Sequence, residues 1–197
     1  MTIESCTLLG TIIRLEPLSL AHREALTEAV HDPSVGRWMT VPLQSATDVQ
    51  HFVDEALRAR DAGTALPFAT VLQATGQIVG STRYLNVEPS HRRVEIGATF
   101  IGTAWQRTAV NTEAKYLMLW HAFERLACHR VEFKTDSLNE PSRRAILRLG
   151  ATEEGTLRSH MLVAGGRLRD TVYFSIIRPE WPTIKASLEA KLAAHRT

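Results

Sequence analysis

Cysteine is scarce here: Cys6 and Cys128 are the two thiols in 197 residues. Two thiols cannot build the disulfide framework of a small secreted domain, so a reducing, cytoplasmic setting is expected, although the sequence leaves open one bridge between them. Long apolar runs are missing too. No window approaches the ~18 uninterrupted apolar residues of a membrane span, and the first residues, MTIESCTLLGTIIRLEPL, lack the basic leader of a signal peptide. Net charge is nearly balanced at +2; this is too little to imply nucleic-acid binding and is compatible with an anionic ligand. There is no His-x-x-x-His pair, no Gly-x-Ser-x-Gly elbow and no Gly-x-Gly-x-x-Gly turn. Metal-hydrolase, serine-nucleophile and dinucleotide chemistries therefore find no support, and no metal is expected. Repeats and Gly/Ser linkers are also absent, which predicts one domain over residues 1–197. Hydrophobic residues at 44% are enough to give a chain of this length a substantial core.

Hydrophobic periodicity and turn residues then divide the chain. Thr7 to Leu15 reads as a strand or a hairpin bent at Gly10. Ser19 is placed to cap a helix running to Val30, which Asp32-Pro33 ends. In Thr47 to Arg60, Val49, Phe52, Val53, Ala56 and Leu57 follow helical spacing. Pro67–Leu72 and Gln77–Leu85 read as strands around Ala74-Thr75-Gly76, and Val94–Ile101 as another. A long helix from Ala109 to Ala127 puts Leu119, Phe123 and Leu126 on one face. The strand Val131–Thr135 and the helix Glu140–Leu149 follow, the latter with Pro141 in its first turn and Gly150 at its C-cap. Thr152–Val163 and Leu168–Ile177 flank Ala164-Gly165-Gly166 as a hairpin, and a tail helix covers Ile184 to Ala194. Strands and helices alternate only in the middle. The fold class expected is therefore α/β in the mixed α+β sense, with a central, mostly antiparallel sheet flanked by helices.

Most informative is residues 95–142: strand EIGATFI, loop, long helix, strand RVEFKTD, then SLNEPS into a second helix. The loop Gln106-Arg107-Thr108-Ala109-Val110-Asn111 enters the long helix directly. The unpaired amides and positive dipole end of a helix N-terminus suit a phosphate.

This stretch resembles the GNAT superfamily of acetyl-CoA-dependent N-acetyltransferases, and in particular the branch that acetylates N-terminal alanines of ribosomal proteins. The likeness spans about Arg14 to Trp181. It implies that acetyl-CoA is the co-substrate and that the amides from Gln106 to Asn111 hold its pyrophosphate. Thr99, Phe100 and Ile101 would pair with the pantetheine arm as an added strand does. Asn139 matches the pantetheine-binding position, and Ser142 the residue near the sulfur. Two departures stand out in the loop. Ala109 replaces a glycine, at small cost if its φ is negative. Asn111 replaces a small residue and is placed to cap the helix, with Glu113 in its first turn.

Other residues carry open alternatives. Glu95 faces opposite to Val94 and Ile96. It serves either as a base for the amine proton or as a salt-bridge partner of Arg83, Arg92 or Arg93. Ser142 either donates to the departing thiolate or braces its helix, and Asn139 is equally suited to be a cap. Trp38 and His160 are candidates for acceptor contact, with core and structural roles as their alternatives; His121 reads as structural. Arg169-Asp170 reads as a structural pair or turn brace, and Arg143, Arg144 and Arg148 as a solvated basic face, with nucleotide phosphates as the alternative contact. The function expected is acetyl transfer to a primary amine, on a protein N-terminus or a small molecule, by direct attack in a ternary complex. A non-catalytic acyl-CoA-binding or ribosome-associated module is the alternative. Neither membrane nor direct nucleic-acid contact is expected, and a homodimer is plausible by analogy.

Overall fold

The computed structural model describes residues 3–41 and 43–195. Eight strands form one sheet: β1 (Leu8–Leu9), β2 (Ile13–Pro17), β3 (Leu66–Leu72), β4 (Ile78–Glu88), β5 (Arg93–Ile101), β6 (Arg130–Asp136), β7 (Thr152–Val163) and β8 (Arg167–Ile177). Their order is β1-β2-β3-β4-β5-β6-β8-β7. Every neighbouring pair is antiparallel except β5 and β6. The mixed, mostly antiparallel sheet read from the sequence is therefore present, and the first segment is a hairpin.

Helices α1 (Arg23–Ala29), α2 (Pro33–Gly36), α3 (Ala46–Asp61), α4 (Ala109–Trp120), α5 (Glu140–Leu149) and α6 (Trp181–Ala194) flank it. Two boundaries differ from expectation for local reasons. After Ser19 the chain makes a tight turn, Leu20–His22, before α1, with the Ser19 N–H donating to His22 Nδ1 at 3.1 Å. Asp32-Pro33 ends α1 but also begins α2. The Asp32 carboxylate accepts from the Ser34 N–H, and Pro33 occupies a first position that needs no N–H. The long helix is regular to Trp120 and closes with a wider π turn, His121–Arg125.

Strand alternation divides the core into two layers. On one face Phe68, Tyr84, Val94, Ile96, Phe133 and Phe174 pack against Val110, Ala114 and Met118 of α4 and Ile184 and Leu188 of α6. On the other, Ala69, Val71 and Phe100 pack against Leu26 of α1 and Val49, Phe52 and Val53 of α3. Neither Cys6 nor Cys128 is in a disulfide, and the Cys6 sulfur lies 3.7 Å from His121 Nε2. Burial pushes the Cys128 thiol up to about 11. Among the described residues no helix is long and apolar enough to cross a membrane.

One buried carboxylate ties the sheet edge to α4. Glu113 lies in the second turn of that helix. It accepts the main-chain N–H groups of Thr11, Ile12 and Ile13 and the Thr11 hydroxyl, at 2.7–2.9 Å. Gly10 makes room for it, because a Cβ there would stand 2.5 Å from the carboxylate. Glu113→Ala strands three main-chain donors and is expected to cost about 3–5 kcal/mol, with Glu113→Gln losing roughly half as much. Urea denaturation measures both; a cost below about 1 kcal/mol for alanine would show that the bend stands without this brace.

Candidate active site

The central feature is a fork in the sheet. Strands β5 and β6 pair only at Arg93 with Arg130, Val94 with Val131 and Glu95 with Glu132. They then part, although β5 continues to Ile101 and β6 to Asp136. The cause lies on the other side of β5. Ser81 opposes Phe100 and Arg83 opposes Gly97, so Ala98 and Thr99 together face Thr82 in a β-bulge, with Ala98 at φ 46°. The bulge also shifts the alternation by one. Before it, Val94 and Ile96 face α4; beyond it Ile101 joins that layer, while Ala98 and Phe100 face α3. The edge of β5 turned toward the fork has no strand partner there, so its N–H and C=O groups suit an added strand-like ligand.

A lysine that the sequence reading missed secures the bulge. Lys115 Nζ donates to Thr99 Oγ1 at 2.7 Å and Thr82 Oγ1 at 3.1 Å, and the two hydroxyls lie 2.7 Å apart. It is buried without a carboxylate partner, and desolvation lowers its pKa to about 7. Its position on the Met118 and Ala122 stripe of α4 was the available signal.

Beyond β5 a short turn, Thr103–Trp105, leads into the loop. The Gln106 side-chain amide donates to the Ile101 carbonyl at 3.0 Å, fastening loop to strand end. Thr108 is the helix cap: its hydroxyl accepts from the Val110 N–H at 3.3 Å and donates to the Trp105 carbonyl at 2.7 Å. This corrects the reading of Asn111 as cap. A cap needs extended backbone, which Thr108 has at φ −105° and ψ −177°, whereas Asn111 already lies in the first turn with its Oδ1 buried and unpartnered. Ala109 is helical, so its methyl costs little. The left-handed conformation falls on Arg107, at φ 60°. The continuous row of amides expected from Gln106 to Asn111 is interrupted, since the Gln106 N–H bonds the Thr103 carbonyl. Helix geometry leaves the Ala109 and Asn111 amides outside the internal ladder.

Glu95 stands where the fork opens. It is buried, and its Oε2 accepts from Asn86 Nδ2 at 2.8 Å and Lys134 Nζ at 3.1 Å. None of the three arginines considered for it is its partner. Arg83 pairs with Glu55 across the Phe52 ring, Arg93 pairs with Glu132, and Arg92 turns the chain at φ 47°. Gly97 is needed beside Glu95, because a Cβ would come within 3.0 Å of Oε1.

Across the fork Asn139 caps α5, accepting the Ser142 N–H at 3.2 Å, with Ser142 half-buried. The Phe100 ring packs edge-on against Phe52, 5.4 Å between centroids, leaving only its main chain for a ligand. Trp38 is half-buried beneath Arg37, and exposed His160 meets the edge of Tyr173 at 5.8 Å; no contact joins either to Glu95 among the described residues. No ion pair joins Arg169 to Asp170 among the described residues; Asp170 braces the neighbouring strand by accepting the Ser159 N–H. Arg143 and Arg144 are tied to Glu140, so the basic face is partly neutralised.

The sequence model described as Acetyltransferase (GNAT) domain matches residues 13–152. The chain belongs to the GNAT acetyltransferase family. It is similar to the uncharacterised N-acetyltransferase p20 of Bacillus licheniformis, with 26% identity over 89% of this chain and 98% of that one. It is also similar to YdaF of Bacillus subtilis (strain 168), whose name assigns it provisionally to ribosomal N-acetylation, with 32% identity over 54% of this chain and 57% of that one. Among solved structures, a GCN5-related N-acetyltransferase from Brucella melitensis superposes with TM-score 0.89 and 30% identity, covering 96% of this chain and 86% of that one. Mycobacterium smegmatis RimJ, solved with CoA-disulfide, shares the fold at TM-score 0.78 and 22% identity over 95% and 92%.

In this GNAT domain the buried lysine gives stability a pH dependence. Folded Lys115 loses its proton near pH 7, whereas an ordinary lysine keeps its own to about 10.5. Between those values the unfolded chain binds more protons, so stability from this group rises with pH, by at most about 1.4 kcal/mol per unit. Below pH 7 the burial cost is present in full. Wild type is therefore expected to gain on Lys115→Met between pH 7 and 10; parallel stability curves for the two proteins would show that Lys115 titrates normally.

Proposed function

We propose that this chain transfers an acetyl group from acetyl-CoA to a primary amine, with a peptide or amino-acid α-amine favoured. The observation that carries the reading is the fork. A free β5 edge begins beside a buried carboxylate and ends, through Gln106, at the N-terminus of α4. Pantetheine along that edge and pyrophosphate at the Ala109 and Asn111 amides would direct the thioester toward Glu95. RimJ, similar in fold, was solved with a CoA derivative, which supports the same ligand here.

The chemistry is direct. The neutral amine attacks the thioester carbonyl, a tetrahedral intermediate forms, and the C–S bond breaks to release CoA thiolate. Positioning and main-chain donors supply most of the acceleration. Glu95 Oε1, free of the Asn86 and Lys134 contacts, takes the amine proton directly or through water. Ser142, in the first turn of α5, is the candidate donor toward the departing sulfur.

One moderate base suits some acceptors better than others. At pH 7.4 about a fifth or more of a peptide α-amine is neutral, against roughly 0.1% of a lysine side chain. Exposed Leu157, Leu162 and Leu168 on the last hairpin are consistent with a second copy of the chain as partner.

Two variants test this. Thr108→Glu places a negative charge at the positive end of the helix dipole, where it is tolerated, so the fold should survive. Acetyl-CoA affinity should fall about tenfold or more; unchanged calorimetric affinity would reject the loop as the phosphate site. Glu95→Gln is expected to lower turnover most for amines of high pKa. If both proteins acetylate every amine equally across pH, Glu95 has no part in proton transfer.

A further inference from the structure

Strand β8 carries two buried polar groups that the proposed chemistry leaves unused. Arg169 is only 5% exposed and Thr171 fully buried, yet neither Arg169 Nε nor Thr171 Oγ1 has a hydrogen-bond partner. Arg169 forms no ion pair among the described residues. Both lie on the face of Glu95. Glu95 pairs with Glu132, Glu132 with Ser175 and Asp136 with Thr171, and partnered residues present their side chains on one side of a sheet. Arg169 is two residues from Thr171 and shares that side. Its guanidinium lies within the fields of Asp136, Glu95 and Tyr173, with Arg167 opposing.

Each nearby carboxylate already pairs with another cation. Asp136 accepts from Arg167 with one oxygen and from the Leu138 N–H, at 3.0 Å, with the other. Glu95 Oε2 is held by Asn86 and Lys134. A guanidinium out of water with an unsatisfied donor is costly unless something completes it. A hydroxyl without a partner on the same strand face is a second donor of the same kind. Two donors without a hydrogen-bond partner, on the sheet face of the candidate base, are complementary to an oxygen brought by a ligand.

We propose that Arg169, aided by the Thr171 hydroxyl, is a specificity-determining residue that binds the carboxylate or carbonyl oxygen next to the amine of an α-amine acceptor. The inference rests on the acetyl-transfer reading above and narrows it. A polyamine brings only positive charge to a face where Arg169 has no carboxylate partner among the described residues, Lys134 and Arg167 being paired with Glu95 and Asp136. An α-amine brings its carbonyl or carboxylate carbon two bonds from the nitrogen, so one molecule can reach Glu95 and Arg169 together.

The experiment measures thiol release from acetyl-CoA with L-alanine, L-alaninamide, an alanine-headed tripeptide, ethylamine and spermidine, for wild type, Arg169→Met, Arg169→Lys and Thr171→Val. For the three carbonyl-bearing acceptors, Arg169→Met is expected to raise KM about ten- to a hundredfold, the loss of a charge-assisted hydrogen bond. KM for acetyl-CoA and the rate with ethylamine should stay unchanged. Arg169→Lys should recover part of the loss, and Thr171→Val should cost less than Arg169→Met. An equal loss with ethylamine, no change for any acceptor, or a preference for spermidine overturns the assignment. If no amine releases thiol, the acetyl-transfer reading fails on its own. Calorimetric titration of CoA-loaded protein with L-alanine then decides the site. Binding lost in Arg169→Met supports it; no binding to wild type, or binding that Arg169→Met leaves intact, overturns it.

Discussion

The bend in β5 is the constraint on which the fork depends, and a buried lysine holds it. An ammonium group sealed from water by a helix and a sheet, with two threonine hydroxyls for company, is an expensive arrangement. It persists because α4 cannot slide to let Lys115 reach solvent. Four hydrogen bonds accepted by Glu113 fix the second turn of the helix to the β1–β2 bend, and Thr108 clips its first turn to the Trp105 carbonyl. With α4 immobilised, Lys115 is presented to Thr82 and Thr99, the residues on either side of the bulge. The same helix thus offers its N-terminus to a phosphate and holds open the strand edge along which the remainder of the ligand would lie.

The opposite face of the fork is organised by charge rather than by apolar packing. Glu95 is balanced by Lys134, Glu132 by Arg93 and Arg130, and Asp136 by Arg167. Pairs of this kind are weak sources of net stability once desolvation is counted. Their consequence is geometric: each holds a long side chain in one rotamer, so the Glu95 carboxylate keeps a fixed position over Gly97. Fixed charges beside a cleft select against some acceptors as strongly as they favour others.

Much of this was legible in the sequence, and the residues that were not share a cause. The strands and the main helices follow from local periodicity and from Pro141 and Gly150, whose cap and turn preferences act within a few residues. The loop-to-helix entry was legible for the same reason. The cap itself was misassigned because Thr108 and Asn111 both have suitable side chains, and only backbone conformation separates them. The partners of Glu95 were hidden because Lys134 reaches it from a neighbouring strand after a helical crossover, a relation no local pattern encodes. Lys115 was missed, and Arg169 was read only as a structural residue, because charged residues are expected outside and their burial depends on elements distant in sequence.

The bulge accounts for one further failure of strand-period reasoning. In Val94-Glu95-Ile96-Gly97 the even positions face α4, and continued alternation would turn Thr99 toward the acceptor and Phe100 toward α4. The inserted residue reverses both: Phe100 closes the α3 layer against Phe52, and Thr99 turns to Lys115. A regular β5 would therefore bury the phenyl ring in the wrong layer and leave the ammonium with Thr82 alone. The left-handed conformation forced on Ala98 is the small local cost of that reversal. The two core layers, each complete only when the bulge is present, supply the packing that offsets it.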